Sequence, residues 1–174
     1  MLFWGCKCAD ADTEDGTSFP SAQIALETSG QVEEHLWPYE STRFSLGYRY
    51  QPPAAATAPG IAAQAILEPL PTSVAAIKQV LLESAIVVLG FQMYQGIYLP
   101  ENYVIPLPEA GESDLGGHVV ALVGFDDNVE AGCFIVRNSW GESWADRGYA
   151  YLPYDYLSLA PVHVYNVRPS RGSV

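Results

Sequence analysis

The sequence contains few basic residues. Only 8 of its 174 residues are Lys or Arg, against 20 Asp or Glu, so the formal net charge is −12 with neutral histidines. A surface with this excess of carboxylates repels phosphate groups. We therefore expect neither nucleic acid nor an anionic membrane surface as a partner.

The sequence also lacks long hydrophobic runs. Its longest apolar runs, such as 85–91 and 119–125, are far shorter than the roughly 20 apolar residues that a membrane-spanning helix requires. Residues 1–8 contain no basic stretch followed by an apolar run and a small-residue cleavage site. The chain is therefore expected to contain no membrane span and no signal peptide.

Cysteine is scarce as well. The three cysteines, Cys6, Cys8 and Cys133, cannot all pair within one chain, which argues against a disulfide scaffold. Together with a histidine they still lack the Cys-x₂₋₄-Cys and His-x₃₋₅-His spacings of zinc sites. We expect free thiols, no metal and no cofactor.

Hydrophobic residues, in contrast, are plentiful. The chain is 49% hydrophobic and 16% charged, which is typical of a packed globular protein and not of a disordered one. Domains commonly contain about 150 residues. Residues 1–174 are therefore predicted to form a single domain.

Helical patterns precede strand patterns along the chain. Thr17 or Ser18 can cap a helix over about residues 18–29, and Ser73 can cap a second one that ends near residue 84. The later part contains short apolar runs that suit strands, and no helices alternate with them. This order predicts an α+β fold with an antiparallel sheet or barrel. The expected strands are 85–91, 118–125, 133–137, 148–152 and 162–167.

His118 begins one of these runs, and Asn138 follows another, 20 positions later. A histidine is a candidate general base because its ordinary pKa, near 6.5, is close to working pH, and an Asn amide can fix which ring nitrogen carries the proton. If the two strands are antiparallel neighbours, the ring and the amide should approach hydrogen-bond distance. Taken alone, such a histidine more often only satisfies local hydrogen bonds, so both interpretations stay open on this pattern.

The residues around the pair form two ordered strings. The first reads Gly-His-Val-Val at 117–120 and continues as Val-Gly-Phe-Asp at 123–126. The second reads Phe-Ile-Val-Arg-Asn-Ser-Trp-Gly at 134–141 and is followed by Trp144 and by Arg-Gly-Tyr at 147–149. Together they resemble the histidine and asparagine blocks of the papain-like, C1-type cysteine peptidases.

Two upstream strings are similar to the part of that family that follows its catalytic helix: Asp-Gly-Thr-Ser at 15–18 and Leu-Trp-Pro-Tyr at 36–39. The resemblance covers about residues 1–157. It implies a papain-like two-lobe fold with an incomplete helical lobe and an antiparallel β-barrel or sheet lobe. Residues 1–60 would form the remainder of the helical lobe with a connector, and residues 61–174 the mainly β lobe.

The resemblance also implies a chemistry, the hydrolysis of peptide bonds by a cysteine thiolate. His118 would be the base that exchanges the proton, and Asn138 would orient its imidazole. Trp140 would cover the bond between them, with Gly117 and Ser139 as supporting neighbours. The implied partner is a peptide or protein substrate.

Further positions follow from the same resemblance. Asp15, Gly16 and Thr17 would present backbone groups to an extended substrate, although a solvated helix-capping loop explains them equally well. Ala145 stands where the family usually has glycine, which costs of order 1 kcal/mol if that residue needs a positive φ. The other aromatic residues, Tyr98 and Tyr103 among them, have no ligand pattern.

The nucleophile is the main departure from the family. Its cysteine signature usually lies about 130–150 residues before the histidine, which is ahead of residue 1 here. We therefore expect the nucleophilic Cys and the oxyanion-hole Gln to be absent from these 174 residues and the chain to be inactive alone. Cys6 and Cys8 lack the expected flanking residues, and Cys133 occupies an apolar strand position that raises a thiol pKa.

Two functional hypotheses remain. The first is one part of a cysteine peptidase, and the alternative is a pseudoenzyme that binds peptides or a partner protein. A missing cysteine helix would expose apolar interlobe surface, which favours self-association or a partner there. The compartment is not determined, since a bacterial cytoplasmic protein and a secreted one both fit.

Overall fold

The regular elements are three α-helices and six β-strands in the part of the chain that this computed structural model describes, residues 2–11, 16–38, 51–83, 85–159 and 161–170. The helices are α1 (Leu2–Asp10), α2 (Phe19–Thr28) and α3 (Val74–Leu82). The strands are β1 (Ala65–Pro69), β2 (Ile86–Gln92), β3 (Gly117–Asp126), β4 (Cys133–Arg137), β5 (Tyr149–Pro153) and β6 (His163–Pro169).

The chain forms two compact units, residues 1–67 with 168–174 and residues 68–167. The α+β class predicted from the sequence is confirmed. Among the described residues, none of the helices combines the length and the hydropathy that a bilayer crossing requires.

The first unit contains α1 and α2, which pack closely. A Cβ placed on Gly5 would lie 2.9 Å from the Cβ of Ala25, so glycine permits this close contact between the helices. The Ser18 hydroxyl caps α2 by accepting the backbone N–H of Ser21 at 3.3 Å, as the sequence predicts. Helix α1 was not predicted.

The sheet has the order β1-β6-β2-β3-β4-β5. The neighbouring pairs from β6 to β5 are antiparallel. All five predicted strands are present within two residues of their expected bounds, and β1 is additional. Helix α3 begins after Ser73, whose hydroxyl accepts the backbone N–H of Ala76 at 3.3 Å, and it packs on β2 and β3.

The core of residues 68–167 lies on one face of the sheet, beneath α3. Alternate residues of each strand point into it because successive strand side chains face opposite sides. The fully buried members include Val87 and Leu89 of β2, Leu122 of β3, Phe134 of β4 and Leu152 of β5. The alternation shifts once, at a β-bulge between Leu122 and Gly124.

Candidate active site

His118 lies at one end of the sheet, where β3 begins. It pairs with Phe91 of β2 and is on the same face of β3 as the buried Val120. Because β3 and β4 are antiparallel, the start of β3 is next to the end of β4, where Asn138 follows Arg137. The β3–β4 hairpin therefore brings the two side chains together.

A hydrogen bond joins the His118 ring and the Asn138 amide. Nε2 of His118 lies 2.9 Å from Oδ1 of Asn138. The backbone N–H of Ser139 donates to the same Oδ1 at 2.8 Å, so this atom is an acceptor. Nε2 therefore carries the proton of the neutral imidazole and donates it to Asn138. The Asn138 backbone is held in turn, because its N–H donates to the carbonyl of Gly148 at 2.9 Å.

The second ring nitrogen of His118, Nδ1, has no hydrogen-bond partner among the described residues. In the tautomer fixed by Asn138, this nitrogen has a free lone pair. It can accept a proton from a thiol or a water molecule placed beside it. The geometry is that of an oriented general base.

Burial sets the basicity of His118. Loss of water around the charged ring lowers the pKa of His118 below its ordinary value of 6.5. The hydrogen bond to Asn138 opposes this effect, because the amide oxygen also stabilises the protonated ring. The imidazole is therefore mainly neutral at pH 7, as a base must be.

We expect the Asn138→Ala variant to have a His118 pKa lower still, because the acceptor that stabilises the protonated ring is gone. NMR titration of the imidazole resonances measures both values. The matched control is Asn128→Ala, an exposed asparagine in the β3–β4 turn, which should leave the His118 pKa unchanged. A His118 pKa at or above 6.5 in the parent chain would contradict the burial argument.

The same shift gives a pH dependence of folding. The folded pKa of His118 lies below the unfolded value of about 6.5, so the unfolded chain binds more protons between the two values. The contribution of His118 to stability is therefore fully present above about pH 6.5 and is lost as the pH falls to the folded pKa.

Two aromatic rings contact the His118 imidazole. The centroid of Trp140 lies 5.0 Å from that of the His118 ring, with the planes tilted by 37°. Phe91 contacts the same ring edge-on at 6.2 Å. Asn138 is only 8% exposed. Exclusion of water strengthens the hydrogen bond between the pair, since competing partners are removed.

A second layer of rings fixes Trp140. Tyr98 stacks on it with centroids 5.2 Å apart and planes 12° apart, and Trp144 packs against its edge at 5.8 Å. The indole N–H of Trp144 donates to the buried carbonyl of Ile97 at 2.8 Å. These contacts fasten the 3-10 helix Gln95–Tyr98 to the segment that follows β4.

The Glu112 carboxylate holds the start of that 3-10 helix. One of its oxygens accepts the backbone N–H of Gln95 at 3.1 Å, and the other accepts that of Glu109 at 3.0 Å. Glu112 therefore helps to place Tyr98, and through it Trp140, beside His118.

Cys133 is a poor candidate for the nucleophile. Burial, with the carboxylates of Glu130 and Asp126 adding to it, raises the pKa of Cys133 to about 11. It pairs with Asp126 at the far end of β3. At about 3.3 Å per strand residue, this places it roughly 25 Å from His118.

The other two cysteines lie on α1, and their thiols are not activated either. Burial raises the pKa of Cys6, and the hydrogen bond with Thr17 and the charge of Lys7 oppose this only in part. Partial desolvation also raises the pKa of the exposed Cys8. A catalytic thiol needs a lowered pKa.

The predicted substrate-binding residues belong to the first unit. Asp15 lies outside the described residues. Gly16 is exposed with φ +85° and no atom within 4 Å of a Cβ built on it, and Thr17 is exposed as well. Their role in binding substrate stays a prediction. Gly117, predicted as a supporting neighbour of His118 and Asn138, is exposed at the start of β3, and this role also stays a prediction.

Ala145 adopts the left-handed conformation, with φ +45°. We expect Ala145→Gly to raise the free energy of unfolding by about 1 kcal/mol, because glycine removes the clash of Cβ with the backbone. Urea denaturation followed by circular dichroism measures the change. Ala131→Gly, in an exposed turn without a positive φ, is the matched control and should give no gain. A gain at Ala131 equal to that at Ala145 would contradict the explanation.

The sequence did not indicate Phe91, Tyr98 or Glu112 as part of the site. No motif surrounds them. The only signal is that Phe91 ends a predicted strand, and its contact with His118 depends on the order of strands in the sheet.

The sequence profile of the papain family cysteine proteases matches residues 5–160. Among curated proteins, a peptidase C1-like protein of Acanthamoeba polyphaga mimivirus is 27% identical over 159 residues, which cover 84% of this chain and 49% of the relative. Mouse cathepsin K is 38% identical over 64 residues, 36% of this chain and 17% of the relative. The matched residues thus span about half the length of the mimivirus protein and a smaller share, 17%, of cathepsin K.

The fold has solved counterparts. Xylellain, a cysteine protease from Xylella fastidiosa, superposes with a TM-score of 0.80 at 22% identity, over 98% of this chain and 69% of the other. This likeness concerns the fold, and the profile match covers most of the chain and includes the His118–Asn138 hairpin. The chain belongs to the papain family of cysteine proteases.

Proposed function

We propose that this chain carries the histidine and asparagine of a papain-type peptidase site, and that the nucleophilic thiolate is none of its three cysteines. The observation that carries the proposal is the partly buried Nε2–H···Oδ1 bond of His118 and Asn138, which leaves Nδ1 free. In this arrangement Nδ1 can exchange a proton with a nucleophile placed beside the end of the β3–β4 hairpin.

In the proposed reaction, Nδ1 of His118 takes the proton of a thiol placed beside it. The thiolate attacks the peptide carbonyl carbon, and the C–N bond breaks as the same proton passes to the leaving amine. Water then attacks the thioester carbon while Nδ1 accepts its proton, the C–S bond breaks to release the carboxylic acid, and Nδ1 returns the proton to the departing thiolate. Asn138 keeps Nε2 protonated and the ring oriented throughout.

The raised thiol pKa values support an external nucleophile. Cys6, Cys8 and Cys133 each hold their proton more tightly than a free cysteine. Without a thiolate, the chain would bind peptides beside His118 and release them uncleaved. His118, Asn138 and Trp140 are the residues we assign to this site, supported by Ser139.

The reading frame upstream of the Met1 codon tests the proposal. If the thiolate belongs to the same polypeptide, that frame contains a Gln-x-x-x-Gly-Ser-Cys-Trp-like string, and a chain extended by it should hydrolyse peptides. His118→Ala should abolish this turnover. His35→Ala, an exposed histidine paired with Glu33, is the matched control and should retain it. Turnover that survives loss of His118 would contradict the proposal.

The second candidate function is a peptide-binding pseudoenzyme. The three unactivated thiols favour it, since a chain selected only for binding needs no nucleophile. An extended chain that binds peptides without turnover would support this function over the peptidase.

A further inference from the structure

A cavity of about 500 Å³ opens beside Trp140, within residues 68–167. Tyr98, Glu101, Tyr103 and Ala145 also line it. The Trp140 ring, which contacts His118, forms part of the cavity wall. We propose that this cavity binds a positively charged side chain, arginine or lysine, of the peptide held at His118. The inference rests on the proposed function, because it names the substrate residue that the same site prefers.

The aromatic wall is the first reason. Tyr98 lies flat on Trp140, with planes 12° apart, so the two rings form a continuous stacked surface. Tyr98 is 44% exposed and Tyr103 is 46% exposed, which leaves ring surface available to a ligand. The electron-rich faces of such rings attract guanidinium and ammonium groups.

Charge is the second reason. Glu101 supplies a solvent-exposed carboxylate to the wall, and none of the lining residues, all of them described, is basic. The net charge of −12 extends this negative field over the whole protein. An arginine or lysine can place its charge near Glu101 and its aliphatic stem against the exposed Leu99.

Backbone conformation is the third reason. Asn102 and Tyr103 both have positive φ, +50° and +64°, which is costly for residues other than glycine. Two backbone hydrogen bonds hold this turn: the N–H of Val104 donates to the backbone carbonyl of Glu101, and the N–H of Ile105 donates to that of Tyr151, both at 2.9 Å. Strain of this kind persists where the surroundings impose it, often at binding sites. Here the strained turn places Glu101 and Tyr103 in the same wall of the cavity.

The test uses three capped peptides, acetyl-Ala-Ala-Xaa-Ala-amide, in which Xaa is arginine, citrulline or norleucine. Citrulline has the shape of arginine without its charge, and norleucine offers only an apolar stem. Each is titrated into the isotopically labelled chain, and the shift of the Trp140 indole N–H gives the dissociation constant. The arginine peptide should bind about fivefold more tightly than the citrulline peptide at low ionic strength, and the ratio should fall as salt is added.

Two variants test whether the Glu101 carboxylate causes the preference for arginine. Glu101→Gln should reduce the preference for arginine to about twofold or less. Glu109→Gln removes an exposed carboxylate that does not line the cavity, and the preference should be unchanged. Equal effects of the two variants would overturn the proposal, since they would indicate only a general attraction to the negative surface.

The outcomes separate this inference from the proposed function. If the citrulline or norleucine peptide binds as tightly as the arginine peptide, the charge preference is wrong and the peptide site is not affected. If no peptide shifts the Trp140 resonance, the cavity is not a subsite. The proposed function is decided by His118-dependent turnover of the extended chain, which does not require this cavity.

Discussion

The isolated chain of 174 residues is expected to hydrolyse fluorogenic peptides about 10⁶-fold more slowly than a cysteine peptidase with a complete catalytic site. The reason is that the His118 imidazole, although oriented by Asn138, has no activated thiol to deprotonate. Initial rates measured with and without a thiol-directed epoxide inhibitor provide the test, and the inhibitor should make no difference.

Three variants complete the measurement. His118→Ala should have the same residual rate as the parent chain, since a base without a nucleophile contributes little to turnover. Cys6→Ala and Cys8→Ala should also leave the rate unchanged. Epoxide-sensitive turnover that disappears in either cysteine variant would show that α1 supplies the nucleophile, contrary to our proposal.

The Trp144→Ala variant is expected to lose about 3–5 kcal/mol of unfolding free energy. The Trp144 side chain is 6% exposed in the main core, so its removal leaves a large void. It also leaves the carbonyl of Ile97 buried without its donor, which adds to the cost. Since small domains are stable by only about 5–15 kcal/mol, this is a large fraction of the total. Urea denaturation followed by circular dichroism measures the loss.

Two further substitutions separate packing from the hydrogen bond. Trp144→Phe keeps most of the ring volume and removes the indole N–H, so about 1–3 kcal/mol should be lost. Tyr149→Ala removes an aromatic ring from an exposed position of β5 and should cost less than about 1 kcal/mol. If Trp144→Ala lost no more unfolding free energy than Tyr149→Ala, the contact of Trp144 with the 3-10 helix Gln95–Tyr98 would not contribute to stability.

Local chemistry decides which elements could be predicted from the sequence. Helices α2 and α3 were predictable because a serine caps each one and apolar residues follow at helical spacing. No serine marks the start of Leu2–Asp10 in the sequence, and a nine-residue helix is marginal by itself, so its packing at Gly5 against α2 is needed to stabilise it. Strand β1 was missed because it lies at the edge of the sheet, ends in Pro69 and buries only Leu67.

The same distinction applies to the site. His118 and Asn138 were predictable as a pair because the strings around them resemble the histidine and asparagine blocks of the family, and the hairpin between them brings the two side chains together. Phe91, Tyr98 and Glu112 reach the site through the pairing of β2 with β3 and through the path of the long connection between these strands. Neither is encoded in a short pattern of residues.

The bulge in β3 restricts which changes of length this strand can accept during evolution. His118, Val120 and Leu122 share one face before it, and Phe125 takes up the inward position after it, opposite the buried Phe134. Loss of residue 123 would restore simple alternation and leave both sets on their present side. Loss of residue 119 or 121 would turn His118 away from Asn138 while the rest of the strand stayed in place. Single-residue deletions should therefore be tolerated at the bulge and eliminated on its amino-terminal side.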